Sequence, residues 1–141
     1  EKVASGESVC VVPKDHPLAA LDEITVKNLR NIPLVLIGRQ RPNRMALDQA
    51  FTRAGVKPMI KIETHTNSSA CSYVAHGLGV TIISSFYANL YRHLPVVHRP
   101  FVPRSTQAFG LAKAAGVPLS IAAQALSDAL KRQIQLSQEN G

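Results

Sequence analysis

Hydrophobic and polar positions alternate between two periods along this chain. Residues 8–12 read Ser-Val-Cys-Val-Val, a short β-branched run closed by Pro13. That composition predicts a strand, followed by a polar loop over about 13–23. Thr25 can cap a short helix over 25–28, with Leu29 turned inward. Residues 32–37 form a continuous apolar run ended by Gly38. A strand buried on both faces reads this way, which points to a parallel sheet covered by helices. Pro42 then suits a first helical turn, and Leu47, Ala50, Phe51 and Ala54 recur at helical spacing. Gly55 is placed for a left-handed cap, with Pro58 shortly after. Residues 59–63 alternate as a strand.

The second half continues the alternation. Ala70, Cys71 and Val74 make a helical stripe that Gly77 stops, and 78–83 form the next strand. A short helix over 84–92, an extended segment over 96–101 between prolines, and a strand over 107–112 follow. A last helix is expected over about 118–135, with Leu119, Ala122, Ala123, Leu126, Leu130 and Ile134 on one stripe. Lys131 and Arg132 sit near its end, where the helix dipole favours cations. Strands alternating with helices indicate an α/β chain built on βαβ units. There is no internal repeat.

Composition narrows the picture. In 141 residues, 45% are apolar and 18% charged, so one globular domain with a real core is expected rather than disorder. No run reaches the roughly 20 apolar residues of a membrane span, and no secretory signal opens the chain. The first six residues lack an initiator Met and read as the interior of a longer protein. The net charge is +7, from 16 basic and 9 acidic residues. Only Arg39, Arg41 and Arg44 cluster, and aromatics are few, so no basic and aromatic strip suited to nucleic acid emerges. Cys10 and Cys71 stand far apart in apolar company, outside any CxxC pair. They read as reduced, buried small hydrophobes rather than a disulfide or redox switch, which fits a reducing cytoplasm.

Ligand chemistry concentrates after predicted strands, where open α/β sheets bind. Thr64, His65, Thr66, Asn67, Ser68 and Ser69 precede a helix whose first N–H groups lack helical partners and carry the positive end of the dipole. That arrangement suits a carboxylate. Capping alone needs one residue, Thr66 or Asn67, and stands as the competing explanation. Gly38, Arg39 and Gln40 follow another strand, where an arginine could clamp a carboxylate or simply be solvated. Ser84 and Ser85 follow a third. Catalysis is poorly supported: there is no GxSxG elbow, Walker or dinucleotide glycine pattern, nor an HExxH arrangement. No metal or other cofactor is expected, and no enzyme.

GESVCVVPKDHPLA at 6–19, Asp15-His16-Pro17-Leu18 above all, resembles the entry into the second effector subdomain of LysR-type transcriptional regulators. Residues 47–51 with Ala54-Gly55-Val56 resemble that family's next helix. ETHTNSSACSYVAHGLGVTII at 63–83 resembles its strand–helix–strand core, with GLGV its most familiar piece. The ETH start and Cys71 are most similar to the branch sensing amino acids, opines and diaminopimelate. The resemblance implies an α/β fold like type 2 periplasmic binding proteins, with effector held between two subdomains. Residues 7–103 would form subdomain II, and 1–6 with 104–141 part of an incomplete subdomain I. It implies a cytoplasmic homo-oligomer that reaches promoter DNA through a domain outside this chain, and no membrane. It also places polar residues corresponding to Thr66 and Asn67 in the cleft. The effector would be a small carboxylate or amino-acid-like molecule; a solute-binding protein of the same fold is the alternative. The stripe of the last helix would then be rearranged, covered by another chain, or packed on a segment outside this one.

Overall fold

The computed structural model describes residues 1–139. Its spine is β1 (Lys2–Pro13), a strand longer than its apolar run suggests. The first half of β1 pairs antiparallel with β7 (Thr106–Gly110). Its second half lies between β5 (Thr81–Ser84) and β6 (Val96–Val102), antiparallel to both. β2 (Ile24–Thr25) runs parallel to the far edge of β6. β3 (Pro33–Ile37) and β4 (Met59–Thr64) pair in parallel. A parallel bridge from Leu34 to Val80 joins this pair to the strand that becomes β5.

The apolar run at β3 therefore does mark a parallel strand, and β3–α1–β4 is a βαβ unit. The sheet as a whole is mixed. Around β1 every ladder is antiparallel, because β5, β6 and β7 return to it from distant parts of the chain. A period-2 pattern does not carry the direction of a remote partner.

α1 (Pro42–Arg53) and α2 (Asn67–Ala75) lie on opposite faces of the sheet. Alternation along β1 sorts the core between them. Cys10 and Val12 pack with Leu47, Ala50 and Phe51 of α1, while Val9 and Val11 pack with Cys71 and Val74 of α2. Each buried Val, Leu or Phe among them contributes about 1.5–3 kcal/mol. The two cysteines are buried on opposite faces of the sheet and are not paired with each other.

Two glycines are required by close approach. At Gly79 (φ 154°) a Cβ would lie 2.5 Å from the Pro33 carbonyl oxygen, within the bridge that ties β3 to β5. At Gly6 it would lie 2.2 Å from Ser84 Oγ and 2.8 Å from the Phe86 nitrogen.

Several boundaries differ from the sequence expectation. The helix expected at 25–28 is a 3-10 turn, Val26–Leu29, fastened by the Asn28 Oδ1 that accepts from the Thr25 N–H at 2.8 Å. The helix expected over 84–92 is α3 (Ser85–Ala88) followed by a 3-10 turn. α4 (Ile121–Glu139) starts after Pro118, because Ser120 accepts from Ala123 N–H through its Oγ and from Gln124 N–H through its carbonyl. α4 lies against the first half of β1: Lys131 pairs with Glu1 at 2.6 Å, and Gln138 Nε2 donates to the Ser5 carbonyl. Its apolar stripe is largely uncovered in this single chain, with Leu126 61% and Leu130 42% exposed.

Candidate functional site

The chain ends of β3 and β5 open into a cavity of about 210 Å³ beside α1. Its floor is apolar: Leu36 and Ile37 from β3, Leu47 and Ala50 from α1, Ile82 and Ile83 from β5. Phe101 and Pro103 close one side. Polar groups reach it from four places. Asn67 opens α2, and Ser84 ends β5. Asn43, Gln49 and Arg53 come from one flank of α1. Ser8, Arg104, Ser105 and Gln107 come from the stretch where β1 changes partners.

Local chemistry fixes these walls. Ser8 donates to the Ser105 carbonyl through both its N–H (2.8 Å) and its Oγ (3.2 Å), holding the two crossing segments together. Ser84 is buried, and its Oγ accepts from Phe86 N–H at 3.3 Å. Arg44, only 3% exposed, ties α1 to the end of β3: Nη1 donates to the Ile37 carbonyl at 2.9 Å and Nε to Asp48 at 3.0 Å. Its Nη2 lies 3.6 Å from Glu63. The Arg39 hydrogen bond to Glu63 (2.9 Å), with the Arg39 and Arg44 charges behind it, holds that carboxyl below the ordinary carboxylate range against opposing desolvation.

Of the residues singled out from sequence, the structure brings Asn67 and Ser84 to the cavity wall. Thr64, His65, Thr66, Ser68, Gly38, Arg39 and Gln40 do not line it. Thr66 is the cap of α2: its Oγ1 accepts from Ser69 N–H at 3.1 Å. Arg39 spends its guanidinium on Glu63 with a side chain 75% exposed, which is an ion pair at the surface and not an open clamp. Of the two roles open to it from the sequence, this geometry is that of a solvated surface charge.

Sequence reasoning missed the flank of α1 and the crossing segment. Asn43, Ala46, Gln49 and Arg53 recur at helical spacing beside the buried stripe, a signal that was available. Arg104, Ser105 and Gln107 carried none, because only the pairing of β1 with β7 brings them there. Among the described residues, no group of three or more His, Cys, Asp or Glu could hold a metal ion. None of their helices is long and apolar enough to cross a membrane.

The family model for the LysR substrate binding domain matches residues 1–135. The chain belongs to the LysR substrate-binding domain family. Among curated relatives it is similar to the transcriptional activator protein LysR of Escherichia coli K12, 32% identical over 100 residues. That match covers 71% of this chain and 32% of the relative, so the chain spans about a third of its length. Among solved structures, the regulatory domain of Synechocystis PCC6803 CcmR in complex with 2-PG superposes with a TM-score of 0.68 at 20% identity. It covers 95% of this chain and 65% of that one. The effector-binding domain of QuiR in complex with shikimate gives a TM-score of 0.68 at 22% identity, over 95% and 64%. These likenesses show the fold, the mixed α/β architecture of LysR regulatory domains expected from the sequence.

Proposed function

We propose that this LysR-family domain senses a small carboxylate or amino-acid-like effector in the cavity at the ends of β3 and β5. The observation that carries the reading is the cavity itself. An apolar floor is rimmed by a few convergent polar groups, Asn67 and Ser84 among them, where an open α/β sheet binds ligands. Residues 7–103 then act as one subdomain, and 1–6 with 104–141 contribute to a second. The exchange of β1 partners from β7 to β5 and β6 near Gly6 and Ser8 supports that division.

The rest of the regulator lies outside this chain and includes the part that reads promoter DNA. The protein works as a homo-oligomer in the cytoplasm, and the uncovered stripe of α4 is consistent with further protein lying against it. Effector binding changes transcription only if the two conformations of the assembly bind it with different affinity. Relatives named as transcriptional regulators favour this reading over a solute-binding protein.

A thermal-shift screen of small carboxylates and amino acids tests it. A ligand present at about 100 times its Kd adds about 2.7 kcal/mol of stability. The gain should shrink in Asn67→Ala. A hit unaffected by Asn67→Ala would remove the cavity as its site.

A further inference from the structure

Three arginines line the cavity, Arg44, Arg53 and Arg104. Two are already matched by carboxylates. Arg44 lies 3.0 Å from Asp48 and 3.6 Å from Glu63, and Arg104 lies 2.9 Å from Glu7. Arg53 differs. Its Nη2 donates to the neutral Gln49 Oε1 at 3.3 Å, and among the described residues it has no carboxylate partner. No Asp or Glu lines the cavity among the described residues. The site therefore holds one positive charge, on its exposed rim above an apolar floor, that no carboxylate of the described residues matches.

Resting on the sensor reading above, we infer that Arg53 selects the effector's acidic group, and that the effector is an organic anion with an apolar body and no ammonium group. A carboxylate arriving at Arg53 replaces or joins a neutral amide with an ionic partner of bidentate geometry, its charge-assisted bonds roughly twice as strong as neutral ones. The last turn of α1 tolerates a cation by its dipole, which accounts for the arginine's place in the helix. It does not account for an arginine-lined cavity with no acid in its wall.

An ammonium meets the opposite situation. It brings donors only. The wall offers it only neutral acceptors, such as the side-chain amides of Asn43, Asn67 and Gln107, and, among the described residues, no carboxylate. Desolvating it beside Arg53 without a counter-charge is costly. Free amino acids are thereby disfavoured against their deaminated counterparts, which narrows the ligand class suggested by the sequence.

The test is an NMR titration of the intact 15N-labelled chain with two matched pairs, glutarate against glutamate and adipate against 2-aminoadipate. The Arg53 side-chain Nε–H, assigned by its loss in Arg53→Lys, is followed together with the backbone amides of Asn67 and Ser84. The expected result is a saturable shift at all three with a dicarboxylate, weaker by roughly tenfold or more with its amino counterpart. Arg53→Gln should remove that binding without changing the melting temperature. Saturable shifts at Asn67 and Ser84 that bypass Arg53, or equal affinity for the amino compound, overturn the inference and leave the sensor reading standing. No saturable shift at any of the three sites with any of the four compounds also overturns it. The sensor reading is then decided by the thermal-shift screen.

Discussion

Replacing Gly79 by alanine should damage the fold at the point where its two sheet pieces meet. The backbone there has φ 154°, which L-residues rarely adopt. The added Cβ would lie 2.5 Å from the Pro33 carbonyl oxygen, 3.1 Å from its carbon and 3.3 Å from Val35 Cγ2. That same oxygen accepts the Val80 N–H at 3.0 Å, and Val35 N–H donates to the Val80 carbonyl at 2.9 Å. Backbone strain of this kind costs about 1–3 kcal/mol. Losing the two bridge hydrogen bonds adds about 1 kcal/mol each. The total is about 3–5 kcal/mol, or roughly 10–20 °C in melting temperature for a chain this size.

Thermal and urea unfolding followed by circular dichroism measure the loss, and hydrogen exchange at the Val35 and Val80 amides locates it. Gly38→Ala is the control. A Cβ there meets nothing within 4 Å, and the change should stay within about 0.5 kcal/mol. A Gly79→Ala chain that melts within about 2 °C of the parent would mean that neither the strain nor the bridge contributes as stated.

Three further outcomes follow from the same structure. Cys10 and Cys71 should resist thiol reagents until the chain unfolds, since burial raises both pKa values, Cys71 to about 11. Rapid labelling of the native chain, or a Cys10–Cys71 disulfide under oxidant, would contradict their placement on opposite faces. Burial, then the Arg92 and Arg99 charges, lowers the His98 pKa, and burial lowers that of His16. The unfolded chain therefore takes up protons first, so stability is full above about pH 6.5 and declines as pH falls below it. His98→Gln should make the decline between about pH 6.5 and 5 shallower, and a parent chain that gains stability over that range would reverse the sign. Thr66→Ala should cost about 1 kcal/mol through loss of the α2 cap; a neutral substitution would mean the 3.1 Å bond to Ser69 N–H adds nothing.

The elements most legible in the sequence are those whose partners lie close in the chain. The β3 run, the α1 stripe ended by Gly55, and Thr66 before α2 each declare themselves locally. The first half of β1 does not. Its sequence, Lys-Val-Ala-Ser-Gly-Glu, has little β signature, and it becomes a strand because β7 and α4 return to it. The same distance effect divides the site. Asn67 lies just beyond β4 and Ser84 ends β5, so the rule that ligands sit at strand ends points to both. Arg104 and Ser105 reach the cavity only after the chain has closed on itself. Arg39 also follows a strand, but Glu63 across the parallel pair takes its charge at the surface.

The most direct test of the sensor account is a crystal structure of this domain with the first compound that raises its melting temperature. Ligand density is expected in the cavity between β3, β5 and α1, in contact with Asn67 and Ser84. Density at any other place, with that cavity unoccupied, would contradict it.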